Sequence, residues 1–340
     1  MQKTYLITGG AGFIGTNLAE RLIRDGHRVI VVDNLVGGKA ERLPEMAAFY
    51  RLDICKTEPL TALMQGVDVV VHLAALPRVQ FSIEHPFEAQ HTNTDGTLSV
   101  LEAMRIAGVK RVVYAASSSA YGDQEVMPLK ETLPPQPKSP YGLHKYYGEV
   151  LMRLWNEIHG IETVSLRFFN VYGPHLDPNG AYALVIGKFL KQRVDGLPMT
   201  ITGDGEQTRD FTHVYDTVDA IVRASQSDRV GHGEVFNVGA GRNVSMNDIA
   251  RLIGGPIEYI AARLEPKHTL ADSSYIKLTL GWQPTIAIEE GIAGLVHISE
   301  FGSEEKLRKN LELGKSYNFK ITLFDVKEQK MALAFVGEKK

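Results

Sequence analysis

Short apolar, β-branched runs punctuate the first half of the chain, at Thr4–Thr8 and at residues 28–32, 67–72, 111–115 and 162–167. Runs this short and this apolar predict strands buried on both faces. Between them, Phe13–Arg24 and residues 92–107 and 141–159 repeat their apolar positions with the period of a helix facing a core. Strands alternating with such helices form βαβ units and hence a parallel sheet. The order strand, glycine loop, helix, strand ending in Asp33 opens a doubly wound α/β sheet of the Rossmann kind.

From Phe169 onward the pattern weakens. Loops with Pro174, Pro178, Gly180, Gly203 and Gly205 surround shorter helices, such as residues 245–253. This predicts a smaller, mixed C-terminal domain over the carboxyl edge of the sheet. The expected division is a nucleotide-binding domain of residues 1–168 with return segments near 210–238, a substrate domain of mainly 169–294, and an atypical extension of 295–340. Residues 134–140 read as a turn-rich connector.

Length supports that division, since 340 residues exceed one compact core at roughly 150 residues per domain. Charge excludes a basic nucleic-acid footprint, because 37 Lys and Arg stand against 40 Asp and Glu, for a net charge of −3. Nucleic acid is therefore not expected as a partner. A single cysteine, Cys55, makes no internal disulfide and no thiolate metal cluster, so no metal is expected. No apolar run approaches the ~20 residues of a membrane span. Strand-like residues begin at Thr4, so no signal peptide is expected and the expected location is cytoplasmic.

Three motifs carry the chemistry. Gly9, Gly12 and Gly15 form G-x-x-G-x-x-G between the first strand and helix, where a tight turn and a close backbone approach to a pyrophosphate exclude a Cβ. The helix N-terminus adds amide donors for the phosphates. Asp33 ends the second strand, placed to accept hydrogen bonds from a ribose 2′-hydroxyl and to repel a 2′-phosphate, which favours NAD. Tyr141 and Lys145 lie four apart on one helical face. A phenol has an ordinary pKa of ~10, and a neighbouring ammonium lowers it toward use as a base. Ser117, Ser118 and Ser119 follow the strand of residues 111–115, and Ser117 precedes Tyr141 by 24 residues. A hydroxyl there is placed to hydrogen-bond the substrate oxygen that Tyr141 deprotonates.

Taken in this order, the motifs resemble those of the extended short-chain dehydrogenase/reductases that act on sugar nucleotides, and among them the UDP-hexose 4-epimerases. The resemblance runs from about Thr4 to Leu295 and includes Asp53-Ile54, His72-Leu73-Ala74-Ala75, Asn93, Arg167 to Gly173, and Gly203 to Asp210. It implies that Asp53 and Ile54 contact the adenine, that Ala74 lines the nicotinamide side, and that Asn170 and Arg209 hold the nucleotide diphosphate. It further implies cofactor contacts at Phe13, Ile14, Asn34, Leu73, Ala75 and Asn93, and sugar-nucleotide contacts at Ser118, Ser119, Thr269 and Asp272. A homodimer through the helices near residues 92–107 and 141–159 is implied as well.

Dehydratases and decarboxylases of this family resemble one another in carrying an acid after the catalytic serine or threonine, where this chain has Ser118, Ser119 and Ala120. Base, hydroxyl and cofactor suffice for 4-epimerisation through a transient 4-keto sugar, with NAD regenerated each cycle and retained. Residues 176–182 resemble the loop of relatives that accept UDP-N-acetylhexosamines, and Thr269 is smaller than the tyrosine that would exclude an N-acetyl group. UDP-GlcNAc/UDP-GalNAc, UDP-Glc/UDP-Gal or both are the expected substrates. A UDP-uronate 4-epimerase, a dehydratase, a reductase and a non-catalytic nucleotide-binding regulator are the alternatives.

Beyond Gly294 the family pattern stops. Residues 295–324 faintly resemble the latter half of an RNA-binding OB-type repeat of a ribosomal protein. Half a barrel cannot close, so a helix followed by two pairing strands is expected there.

Overall fold

In the computed structural model, which describes residues 2–177, 185–262, 268–301, 317–325 and 330–338, the β-branched runs become the strands of one sheet. β1 (Thr4–Thr8) passes through the glycine loop into α1 (Phe13–Arg24), and β2 (Arg28–Asp33) returns parallel to β1. The chain continues through β3 (Ala48–Arg51), α2 (Thr57–Leu63), β4 (Val69–His72), α3 (Val79–Glu84), α4 (Pro86–Gln90) and α5 (Gly96–Ala107). β5 (Arg111–Ser117), α6 (Pro140–His159) and β6 (Glu162–Phe168) follow.

The second half runs β7 (Val171–Tyr172), α7 (Val185–Val194), β8 (Met199–Thr202), β9 (Thr208–Asp210), β10 (Thr212–His213), α8 (Val214–Gln226) and β11 (His232–Val238). It ends with β12 (Asn243–Ser245), α9 (Met246–Ile253), β13 (Ile257–Ile260), α10 (Ser274–Leu280), α11 (Ile288–Phe301) and the strands β14 (Tyr317–Asp325) and β15 (Lys330–Glu338).

The main sheet has seven parallel strands in the order β11-β6-β5-β4-β1-β2-β3. This is the doubly wound Rossmann arrangement, with helices on both faces. One face packs Ile7, Val31 and Val113 against Leu18 of α1 and Val218 and Ile221 of α8. The other packs Leu6, Val70 and Val112 against Leu60 of α2, Leu101 of α5 and Met152 of α6. A smaller apolar core unites Phe189 of α7, Ile201 of β8, Ile249 of α9 and Ile292 of α11 above the sheet. Asp216 ties the regions together: its backbone oxygen accepts from Trp282 Nε1 at 2.9 Å, and its carboxylate accepts from the Thr285 and Ile286 amides.

Two sheet strands escape the apolar-run pattern. β3 is an edge strand whose residues stay largely exposed, so it carries no buried run. β11 opens with His232, Gly233 and Glu234 before its buried half begins. The helix expected over residues 92–107 begins instead with a π-turn at His91–Asp95, and α5 proper starts at Gly96. α11 crosses position 295 without a break, and Leu295 is buried in the smaller core. β14 and β15 pair antiparallel, as expected of the tail. Among the described residues no helix is long and apolar enough to cross a membrane.

Candidate active site

Parallel registry brings Thr8, Asp33, His72 and Ser117 to one edge of the sheet, the carboxyl ends of β1, β2, β4 and β5. A cleft of about 670 Å³ opens along that edge. Gly9 and Gly12 form one wall, with Phe13 and Ile14 at the start of α1. Gly9 has φ +68°, and a Cβ there would stand 2.7 Å from the Ala74 backbone. The loop therefore packs directly on the residues after β4, and only glycine fits. α1 begins at Gly12 with no side-chain cap, which leaves its first amides to an anion.

Asp33 lines the cleft and is held by backbone: Oδ2 accepts from the Ala11 amide at 3.1 Å, Oδ1 from the Leu35 amide at 2.8 Å. Burial pushes its carboxyl up, against the pull of those two amides. Asn34 also lines the cleft, and its side-chain amide donates to Asp53 at 3.2 Å. Asp53 itself does not line it. Its carboxylate also accepts from the Cys55 amide, so it shapes the turn that presents Leu52 and Ile54. Burial raises the Asp53 carboxyl, but its hydrogen bonds outweigh that and hold it below the ordinary range.

Leu73, Ala74 and Ala75 continue the lining beside the glycine loop. Behind them His72 bridges the hydroxyls of Thr8, at 2.7 Å, and Thr97, at 3.0 Å. Burial pushes the His72 imidazole down to about 3, so it is neutral at physiological pH. Asn93 is not part of the lining. It is buried and clamps Leu76 at both ends, accepting from its amide at 2.7 Å and donating to its carbonyl at 3.2 Å. The π-turn thus presents Thr92 to the cleft and spends Asn93 on holding the wall.

The candidate reactive residues converge from β5 and α6. Ser117 caps a short turn by accepting from the Ser119 amide at 3.1 Å, and Ser117, Ser118 and Ser119 all line the cleft. α6 is capped by Ser139, with Pro140 in its first turn. Tyr141 therefore enters in the first turn, where its amide donates to Ser82 Oγ at 3.1 Å. One turn on, Lys145 donates from Nζ to the Ala115 carbonyl at 2.7 Å and lies over the Tyr114 ring, 5.0 Å from its centroid. Burial pushes the Lys145 amine down to about 7, while Glu149 raises it. Among the described lining residues the only carboxylates are Asp33 and Asp177.

The loop after β7 closes the cleft from above. Asn17 donates to the Pro174 carbonyl at 2.9 Å, Arg42 to the His175 carbonyl at 2.7 Å, and Lys39 pairs with Asp177 at 2.7 Å. Asn170 lies at the junction with a second cavity of about 220 Å³, which Arg209, Gln207, Phe189 and Phe211 also line. Neither phenylalanine carries a motif signal. Next to Arg209, Asp210 is buried and accepts from the Ala240, Gly241 and Ala271 amides.

Thr269 and Asp272 line neither cavity. The Thr269 amide donates to the Thr208 carbonyl at 3.3 Å, and its hydroxyl is buried. Asp272 accepts from the Ser274 amide at 2.9 Å at the start of α10 and faces Lys130 at 3.9 Å, so its carboxylate is used by the local turn. Of the loop 176–182, Leu176 and Asp177 line the cleft, while the rest, with Leu184, lies outside the described residues.

The sequence profile of the NAD dependent epimerase/dehydratase family matches residues 5–239. The chain belongs to this family. A UDP-glucose 4-epimerase from Thermotoga maritima, solved with UDP-glucose, superimposes with a TM-score of 0.83 at 36% identity, over 91% of this chain and 100% of that one. A UDP-N-acetylglucosamine 4-epimerase from Methanobrevibacter ruminantium, solved with UDP-N-acetylmuramic acid, gives 0.82 at 33% identity, over 87% and 97%. A UDP-glucuronate 4-epimerase from Thermodesulfobacterium geofontis is 36% identical over 333 residues, 92% of this chain and 98% of that one. NAD is the family's cofactor, and the bare glycine cradle, the uncapped α1 and Asp33 fit it.

Proposed function

We propose that the chain interconverts a UDP-hexose with its C4 epimer, the substrate being UDP-GlcNAc/UDP-GalNAc, UDP-Glc/UDP-Gal or both. The observation that carries this is the pairing of Tyr141, Lys145 and Ser117 in a cleft whose described wall at the serine turn bears hydroxyls and no carboxylate. Proton abstraction at a hydroxyl needs one base, whereas elimination of water needs an additional acid. The similarity to the Thermotoga and Methanobrevibacter enzymes supports the same reading.

Bound NAD supplies a hydride acceptor and donor, so that C4 passes through a ketone and returns with either configuration. The Tyr141 phenolate takes the 4-hydroxyl proton and later returns it. Lys145, fixed by the Ala115 carbonyl, stabilises that phenolate, and Ser117 hydrogen-bonds the same sugar oxygen. The loop of Pro174, His175 and Asp177, strapped to α1 and to Lys39 and Arg42, retains the cofactor between turnovers. Asn170 and Arg209 hold the diphosphate end where the two cavities meet.

Proton NMR of UDP-GlcNAc and, separately, UDP-Glc with purified protein and no added NAD tests the reading. New H4 and anomeric signals of the epimer are expected from at least one. Silence from both, persisting after NAD is added, overturns it. A UDP-uronate is the second reading, favoured by Arg78, which lines the cleft without an acidic partner among the described residues. UDP-glucuronate in the same assay decides between them.

A homodimer belongs to the same proposal. Leu143, Tyr147, Val150, Leu154 and Ile158 form an exposed apolar stripe along α6, and Leu98 and Ile106 are exposed on the adjoining α5. A stripe of this kind is an interface in search of its partner. A cytoplasmic location is part of the proposal too, since the lone Cys55 builds no disulfide framework.

A further inference from the structure

Behind the reactive pair lies a buried charge arrangement that the epimerisation chemistry does not use directly. Glu149 follows Lys145 by one helical turn on the same buried face of α6, at 1% exposure against 4% for the lysine. Residues so spaced stand ~5–6 Å apart at Cβ. The Glu149 carboxylate is gripped from the next strand: Arg167 Nε donates at 2.8 Å and Nη2 at 2.7 Å. The guanidinium also lies 4.4 Å from the ring centroid of Tyr121, whose hydroxyl donates to Asn237 Oδ1 at 2.7 Å. A polar group this deeply buried needs hydrogen-bond partners, and the arginine fork supplies one to each carboxylate oxygen.

We propose that Glu149, gripped by Arg167, is a positioning residue that keeps Lys145 cationic one turn from Tyr141. The inference rests on the reading of Tyr141 as the base. Lys145 needs such a partner because its only direct hydrogen-bond acceptor among the described contacts is the neutral Ala115 carbonyl. Burial alone favours the neutral amine, and Glu149 opposes it.

Few other groups compete for this role. Tyr114 on β5 and neutral His72 on β4 face the amine. The other charges on elements packed against α6 are engaged elsewhere, in the pairs His91–Asp95, Glu102–Arg105 and Arg111–Glu162. Glu84 takes a hydrogen bond from Gln80, Glu234 accepts from the Gly231 and His232 amides, and Glu88 is exposed.

The NAD-loaded enzyme and its Glu149→Gln variant are compared by heteronuclear NMR titration of the Lys145 amine, read as the difference from Lys145→Met, and by the pH profile of kcat/KM; the Tyr141 phenolate of the parent is titrated in the ultraviolet, read as the difference from Tyr141→Phe. Removing one negative charge while keeping Arg167 moves the amine midpoint, and with it the alkaline limb of the profile, to lower pH by about one unit or more. In Glu149→Gln/Arg167→Met the pair's net charge returns to zero, and the midpoints move back toward the parent although stability does not. A merely structural staple predicts lower activity with unmoved midpoints, worse in the double variant. Unmoved midpoints in Glu149→Gln, or an acid shift that persists in the double variant, overturn the proposal. Should Glu149→Gln not fold, Glu149→Asp withdraws the carboxylate by one methylene, and a smaller acid shift is expected; its absence overturns the proposal equally. If the parent enzyme shows no phenolate below the ordinary tyrosine range, the base assignment fails first and this inference falls with it.

Discussion

A Cβ on Gly142 would stand 2.6 Å from the carbonyl oxygen of Ser119. The first turn of α6 and the serine turn after β5 therefore touch through their backbones. That contact sets the placement of Tyr141 against Ser117, since each lies within two residues of it. Gly142→Ala must push the two turns apart. A displacement near 1 Å at a reacting pair costs on the order of 10²-fold in rate. The expected outcome is a kcat lowered by roughly that factor with bound NAD unchanged, read by NMR turnover and by cofactor content after denaturation.

Tyr141→Phe removes the hydroxyl proposed as base and leaves the ring. Loss of ~10²–10⁴-fold in kcat is expected, because that is what a positioned general base contributes. Binding of UDP, followed by calorimetry, should stay within a few-fold of the parent. A variant keeping more than about a hundredth of the activity contradicts the assigned role.

Asp33→Asn keeps the side chain's size and removes the charge that repels a 2′-phosphate. The variant is expected to lose bound NAD on dilution and to gain affinity for NADP, both measured by equilibrium dialysis. The parent should show no such gain. Equal NADP binding by parent and variant would remove Asp33 from the choice of cofactor.

Stability should fall as the solution is acidified. Burial pushes His72 down to about 3, and pushes His213 down to about 4 against the opposing pull of Asp216. In the unfolded chain both regain a pKa of ~6.5. The unfolded state thus takes up protons first, so this stability is full above ~6.5 and is lost as pH falls toward the folded values. Asp210 works in the opposite sense, because burial lifts its carboxyl to about 6 despite three backbone amides. From pH 6 downward the folded state also gains a proton, which reduces the slope without reversing it. Urea midpoints measured between pH 8 and pH 4 check this, and a midpoint that rises on acidification to pH 5 contradicts it.

The α6 stripe predicts its own disruption. Leu154→Glu and Ile158→Glu place charges on exposed apolar positions far along the helix from Tyr141. Sedimentation analysis is expected to show a dimer for the parent and a monomer for the double variant. If the parent already sediments as a monomer, the stripe has another use.

The convergence of the glycine loop, Asp33, Ser117, Tyr141 and Lys145 on one cleft was legible in the chain because it depends on local geometry. A glycine loop must lack Cβ atoms at given spacings, a strand-end Asp33 follows from βαβ order, and Tyr141 and Lys145 share a face because a helix repeats every 3.6 residues. Parallel pairing then carries Ser117 to the same edge, since all strands of such a sheet end together. Residues named by similarity alone owe their places to more distant contacts. Asp53 and Asn93 proved to support the wall instead of lining it, and Asp272 serves the start of α10.

What the sequence determined alone was the succession of strands and helices and the residues that one turn or one strand end brings together. Tertiary structure decided the rest, because those choices depend on contacts between distant segments. It placed edge strand β3 and the half-polar β11 in the sheet, since backbone pairing there needs no apolar run. It closed the cleft by strapping residues 174–177 onto α1 and onto Lys39 and Arg42. It also joined Glu149 to Arg167 across 18 residues. A helix period can place a glutamate behind a lysine, but only the packing of β6 against α6 supplies the arginine that hydrogen-bonds both of its oxygens.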